Sequence, residues 1–295
     1  MSLATIGLLL LVDLLWALNV IVSKLAVGTL GMPPLYYALL RSALVLVALF
    51  PLLRPLPQQV WKVMLVGLAI GGGSFALLFI GLATASPSAA GVVGLSGAPL
   101  TVLFAILFLG EKVHWRRASG IALTFTGVLL AVSAEGDMRA SLGLAFVFAS
   151  ALLGALGSVF YKTIEISSIR LQAWAAVSSI IVLTPLSLVL EPSPMTALSR
   201  APLELAGCLF FASIIVSVGA HSTYYRILQN NDANLVVPLT LLSPLFTIGL
   251  GAWLTGDHVG PRLLAGGAIA IAGVAIIVLR PSATFTKRFL VRSRL

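Results

Sequence analysis

Two stripes of polar side chains and one lone arginine interrupt the long apolar runs of this 295-residue sequence. Asp13, Trp16, Asn19, Ser23 and Lys24 fall within an arc of about 140° on a helix that is otherwise Leu and Val. Ser213, Ser217, His221 and Tyr224 fall within about 80° of one another on a second helix. Arg41 sits about eight residues inside a further run, at a depth comparable with Asp13. The chemistry these groups offer is recognition. Trp16, Phe75, Phe79 and Tyr224 present rings that stack, while Asn19, Ser96, Thr240, Ser243 and His221 present hydrogen-bonding groups. A carboxylate inside hydrocarbon is costly and marks a functional site by default. Asp13 is read first as an intramembrane charge pair with Arg41, with a proton or substrate role and a water-facing neutral acid as the other readings. His221 is either a packing histidine satisfied by a hydrogen bond or a cavity-lining, titrating group. Reaction chemistry is not indicated. There is no His-Glu-x-x-His, no Gly-x-Ser-x-Gly and no P-loop, and Cys208 is the one cysteine. His114 and His258 lie in loops without a third ligand, so neither an enzyme, a metal nor a cofactor is expected.

The elements that must carry these groups follow from composition. Hydrophobic residues are 59% and charged residues 9%, against soluble averages of about 45–50% and about 25%, so lipid is the solvent. The apolar runs are Leu3–Val27, Pro33–Leu53, Val60–Ala83, Ser88–Leu109, Arg117–Ala134, Ser141–Lys162, Leu171–Leu190, Leu203–Arg226, Asn234–Leu254 and Arg262–Leu279. Each is near the about 20 residues that cross about 30 Å of hydrocarbon, and only helices satisfy their own backbone there. The expectation is an all-α membrane protein with ten transmembrane helices. The first run lacks a basic leader region, so no cleavable signal is expected. Thirteen of the eighteen Lys and Arg fall on one side and four on the other, with Arg41 inside. That asymmetry puts both termini in the cytoplasm. The net charge of +9 therefore reports membrane topology, and no nucleic-acid partner is expected.

The chain is also written twice. Gly110, Glu111, Val113, Arg116, Gly120 and Gly127 are matched 146 residues later by Gly256, Asp257, Val259, Arg262, Gly266 and Gly273. Residues 1–134 and 135–280 are thus read as two five-helix repeats, with 281–295 a basic cytoplasmic tail. Five is odd, so the second repeat enters from the opposite side. A 5+5 inverted-topology repeat is the signature of an alternating-access transporter. Pro99 and Pro244 occupy matching places and remove a backbone donor from two membrane helices. They are read as a paired interruption at a substrate site, a kink without ligand being the alternative. Ser150, Gly154 and Ser158 give one helix a smooth packing face, and Gly71-Gly72-Gly73 suggests a bend. Trp174 is read as an interfacial belt residue. Glu111 and Asp257 are read as structural, each capping the helix that follows it or bracing against Arg116 or Arg262.

The motifs Trp16-Ala17-Leu18-Asn19-Val20, Leu39-Leu40-Arg41-Ser42-Ala43, Pro99 and Leu109-Gly110-Glu111 resemble the ten-helix EamA-type branch of the drug/metabolite transporter superfamily, over essentially the whole chain. The resemblance implies a 5+5 fold around a central cavity, export of small metabolites or amino acids, and the bacterial inner membrane. Its second copy is looser, with Asp257 where Glu is usual. On the residues themselves, walls of Trp16, Phe75, Phe79, His221 and Tyr224 with few charges suit a neutral or aromatic solute. The expected function is secondary export of amino acids, aromatic ones foremost, bound by Trp16, Asn19, Phe75, Phe79, Ser96, Pro99, His221, Tyr224, Thr240, Ser243 and Pro244. The competing reading is a proton-coupled exporter of lipophilic cations using Asp13. The partners expected are the small-molecule substrate and the lipid bilayer, with the monomer as the functional unit.

Overall fold

A computed structural model describes residues 2–110, 115–133, 137–231 and 236–279. Glu111, His114 and the tail 281–295 lie outside the described residues. Among the described residues every regular element is helical. In chain order we label α1 (Leu3–Thr29), α2 (Pro34–Leu53), α3 (Val60–Thr84), α4 (Pro87–Leu109), α6 (Met138–Tyr161), α7 (Ser168–Leu190), α8 (Pro202–Tyr224) and α10 (Pro261–Val278). These eight are long and apolar enough to cross a membrane. Between them, α9 (Leu239–Thr255) is a shorter apolar helix. The helix α5 (Trp115–Val132) carries Arg116 and Arg117 in its first turn. Large apolar side chains such as Val47, Leu107 and Val189 point outward, more than two-thirds exposed, which only a lipid surround makes tolerable.

Breaks in the helices fall where the sequence removes backbone donors or side chains. In α4 the helix stops at Gly94 and resumes at Gly97, and the intervening turn tightens, Leu95 N–H donating to Val92 O and Ser96 N–H to Val93 O. Pro99 is the cause, since its ring clashes with the carbonyl four residues back, that of Leu95. The second half repeats the arrangement, a 3₁₀ stretch Val237–Leu241 preceding Pro244. In α3 the break is at Gly71 (φ −109°, ψ −115°), between Val60–Ile70 and Gly72–Thr84. Ser179 of α7 accepts the freed Gly72 N–H at 3.0 Å. Matched glycines also end matched helices, Gly110 at φ 66° closing α4 and Gly256 at φ 68° closing α9, the left-handed cap that glycine favours.

The helices α5 and α10 meet backbone to backbone. A Cβ on Gly120 would lie 2.8 Å from Gly273 O, and one on Gly127 would lie 2.5 Å from Gly266 O. Only glycine permits that approach.

One end of the bundle is tied together by side chains that cap helices distant in sequence. Glu191, just past α7, accepts the N–H groups of Leu35 (2.8 Å) and Tyr36 (3.0 Å) at the start of α2. Burial pushes its carboxyl up from the ordinary range while these two donors oppose the rise. Asp257 Oδ2 accepts Ser88 N–H at 2.8 Å, in the first turn of α4. This corrects the expectation that Asp257 serves the helix following it, because the turn at Gly256 aims the carboxylate at the other half of the chain. Lys24 donates to Ala83 O at 3.5 Å nearby. At the opposite end, Arg170 donates to the carbonyls of Leu52 and Pro55.

Candidate functional site

Between α3, α4, α6, α7 and α8 lies a cavity of about 570 Å³, within the range of small-ligand sites. The α3 wall is Gly71, Ser74 and Phe75, the α4 wall Gly97 and Thr101, and the α6 wall Ser150, Gly154 and Ser158. Gln172 and Ala175 come from α7, and Ser217, His221 and Tyr224 from α8. The lining continues to Tyr161 and Ser168, the residues that end α6 and begin α7, so the cavity runs toward the end opposite the Asp257 and Glu191 caps.

Local helix geometry decides which groups reach it. Residues Phe211–Ala220 of α8 wind as a π-helix, so side chains bond carbonyls five residues back. Ser217 donates to Ala212 O at 2.9 Å, and His221 Nδ1 lies 2.9 Å from Val216 O. A carbonyl only accepts, so Nδ1 carries the proton and Nε2 is the free ring nitrogen. Ser217 Oγ in turn accepts from Arg41 Nε (3.2 Å) and Nη2 (2.9 Å). The guanidinium carbon sits 3.9 Å above the centre of the Phe75 ring, a close cation–π contact. On the other side Trp16 packs its ring against His221 (5.4 Å) and Tyr224 (5.1 Å).

Of the residues expected to bind substrate, the structure brings Phe75, His221 and Tyr224 to the cavity wall, with Trp16 directly behind the last two. Phe79 is fully buried one turn deeper, edge-on to Tyr37 at 4.8 Å. Asn19 and Ser96 are buried away from the wall, each with a side-chain oxygen lacking a hydrogen-bond partner among the described residues. Pro99 is buried, and Thr240, Ser243 and Pro244 are half-buried in α9, whose Pro244 O faces Gly91 of α4. These seven are absent from the described lining because the cavity sits on the α6–α7 side of α4, away from α9.

The expected Asp13–Arg41 pair is not formed. Neither carboxylate oxygen of Asp13 has a hydrogen-bond partner among the described residues, and Arg41 gives its bonds to Ser217. Equal depth did not mean equal azimuth, and the serine of α8 intercepts the guanidinium. Trp174 also departs from expectation. At 7% exposure it packs with Val63, Val66 and Leu171, inside the protein and not at a lipid interface. The Ser150 face does both jobs. Ser150 and Ser74 exchange bonds to each other's carbonyls (2.7 and 3.0 Å), while Gly154 and Ser158 line the cavity. Ser74, Thr101 and Gln172 had no signal in spacing. An isolated polar residue in an apolar run is the one cue that would have found Gln172.

Comparison with known proteins fits this architecture. The model of the EamA-like transporter family matches residues 3–133 and 141–279. A probable amino-acid metabolite efflux pump of Escherichia coli (strain K12) is 30% identical over 91% of this chain and 93% of its own. A probable terminal-alkyne amino-acid exporter of Streptantibioticus cattleyicolor is 26% identical over 60% of this chain and 59% of its own. A crystal structure that covers all of both chains superposes with a TM-score of 0.55 at 17% identity, a likeness of fold. With the family model matching nearly the whole chain, this multi-pass membrane protein belongs to the EamA-like transporter family of the drug/metabolite transporter superfamily.

Proposed function

We propose that the protein exports amino acids, aromatic and hydrophobic ones foremost, across the bacterial inner membrane by alternating access. The observation that carries this reading is the cavity, a space of about 570 Å³ with aromatic faces, hydroxyls and no acidic side chain among its described walls. A substrate ring packs against Tyr224 and the edge of Phe75, and the hydroxyls of Ser74, Thr101 and Ser158 hold polar ends. The reading takes ten spans from the ten apolar runs, a 5+5 inverted repeat from the duplicated motif, and cytoplasmic termini from the charge asymmetry. The reading is supported by the two family-model matches of similar length and by the names of the relatives. On that orientation the capped end is external and the cavity faces the cytoplasm, ready to load. Export then runs downhill without tight ion coupling, by a monomer, since duplication already supplies both halves. A lipophilic cation is disfavoured, because Asp13 is absent from the described lining and Arg41 stands close to it.

A panel of radiolabelled solutes in proteoliposomes tests the reading. Tryptophan, phenylalanine and leucine should equilibrate faster than in protein-free vesicles, and lipophilic cations should not. Flux of cations with none of any amino acid would overturn it.

A further inference from the structure

Arg41 is a buried charge that makes no ion pair among the described residues. Its side chain is 3% exposed, and Nη1 has no partner among the described residues. A guanidinium never deprotonates in a protein, and a spare donor fork in low dielectric is costly until an acceptor completes it. Close by, Gln172 Nε2 of α7 is likewise buried without a partner. The second half of α3 begins at Gly72, and a helix start carries partial positive charge. Arg41, Gly71, Gly72, Phe75, Gln172 and Ser217 face a recess of about 60 Å³, large enough for one small polar group. Four of them, Gly71, Phe75, Gln172 and Ser217, also line the main cavity, so the recess adjoins it. The unfulfilled groups here are donors, and neither space has an Asp or Glu among its described walls.

We propose that this recess is a carboxylate subsite, with Arg41 Nη1 and Gln172 Nε2 taking the carboxylate of the transported molecule. The chemistry stands on the unpartnered donors; that the carboxylate is the α-carboxylate of an amino acid rests on the export reading above. The solute's side chain then lies toward His221, Tyr224 and Trp16. Ser217 and Phe75 position the guanidinium, leaving one fork free, a geometry that suits a flat two-oxygen group.

Matched ligands test this on the wild-type protein in detergent, by thermal-shift titration. Tryptophan and indole-3-propionate carry the carboxylate, whereas tryptophanamide and tryptamine lack it. The two acids should bind, and the amide and amine should bind about 10- to 100-fold more weakly, the usual loss when a charged hydrogen-bonded partner is left unpaired. Arg41→Gln should abolish the acid-over-amide preference and Arg41→Lys should keep part of it. Should these variants not fold, the wild-type series still decides. Equal binding of acid and amide, no stabilisation by any carboxylate, stabilisation by inorganic phosphate as strong as by the acids, or a preference that survives in folded Arg41→Gln would each overturn the subsite. Flux separates the two ideas. Amino-acid transport with equal acid and amide binding removes the subsite and leaves the export reading. Carboxylate preference without flux of any amino acid keeps the subsite and removes that reading.

Discussion

Phe75 does two things at once, forming cavity wall and lying 3.9 Å beneath the Arg41 guanidinium. Replacing it by leucine keeps apolar volume but removes the ring's negative face, an attraction of about 0.5–2 kcal/mol. Phe75→Leu should therefore raise KM for aromatic substrates by about 2- to 30-fold with kcat little changed. Transport kinetics in proteoliposomes would check it, an unchanged KM contradicting a positioning role. Spacing had singled out His221 and Tyr224, because a ring or imidazole on a polar stripe needs a reason to be there, whereas Phe75 was chosen as an aromatic on the third helix. The same reasoning could not pair Asp13 or Arg41 correctly. Sequence gives depth along a helix, but which neighbour a side chain meets depends on how helices rotate about their axes. The π-helical stretch Phe211–Ala220 adds a second obstacle. It winds more slowly than 100° per residue, so Ser213 is fully buried, its hydroxyl without a partner among the described residues, while Ser217 and His221 reach the cavity.

At the scale of elements, α5 and α10 depend on the absence of side chains. Gly127→Ala places a Cβ 2.4 Å from Ala270 N, and the helices must part. Overpacking of this kind costs about 1–3 kcal/mol. Gly7, in α1, has nothing within 4 Å of such a Cβ, so Gly7→Ala should be neutral or stabilising by up to about 1 kcal/mol. Thermal denaturation in detergent should rank the two on opposite sides of wild type, and equal behaviour would deny the close packing. Asp257 makes a different prediction. Asp257→Asn weakens the cap on α4 by about 0.5–2 kcal/mol. A cysteine at Ala89, fully buried in that first turn, should then react faster with a membrane-impermeant thiol reagent in a Cys208→Ser background. No change in labelling would mean the cap does not hold this end closed. The helices themselves were largely legible, Pro33–Leu53 against Pro34–Leu53 and Val60–Ala83 against Val60–Thr84, since hydrocarbon thickness sets run length. So was the helix-disturbing effect of the two prolines. The cap from Asp257 to Ser88 was not, because it joins residues 169 apart and nothing local announces it.

The whole molecule has a relation that no single helix shows. Gly120 meets Gly273 and Gly127 meets Gly266, while the repeat equates Gly120 with Gly266 and Gly127 with Gly273. Each glycine thus touches the repeat counterpart of the other glycine on its own helix, the reciprocity that a two-fold axis between equivalent surfaces produces. Such an axis is what the proposed inverted repeat requires, and in the proposed alternating access one half would rock against the other about the α5–α10 contact. On the proposed function, the capped end and the cavity opposite it correspond to one of two states of a carrier. The most direct test is counterflow. Proteoliposomes preloaded with unlabelled phenylalanine and diluted into labelled tryptophan should show transient accumulation of label, lost when the preloaded solute is omitted and little altered by collapsing the pH gradient. Absence of counterflow for every amino acid, or accumulation that appears only when protons move the opposite way, would contradict downhill exchange of amino acids through this cavity.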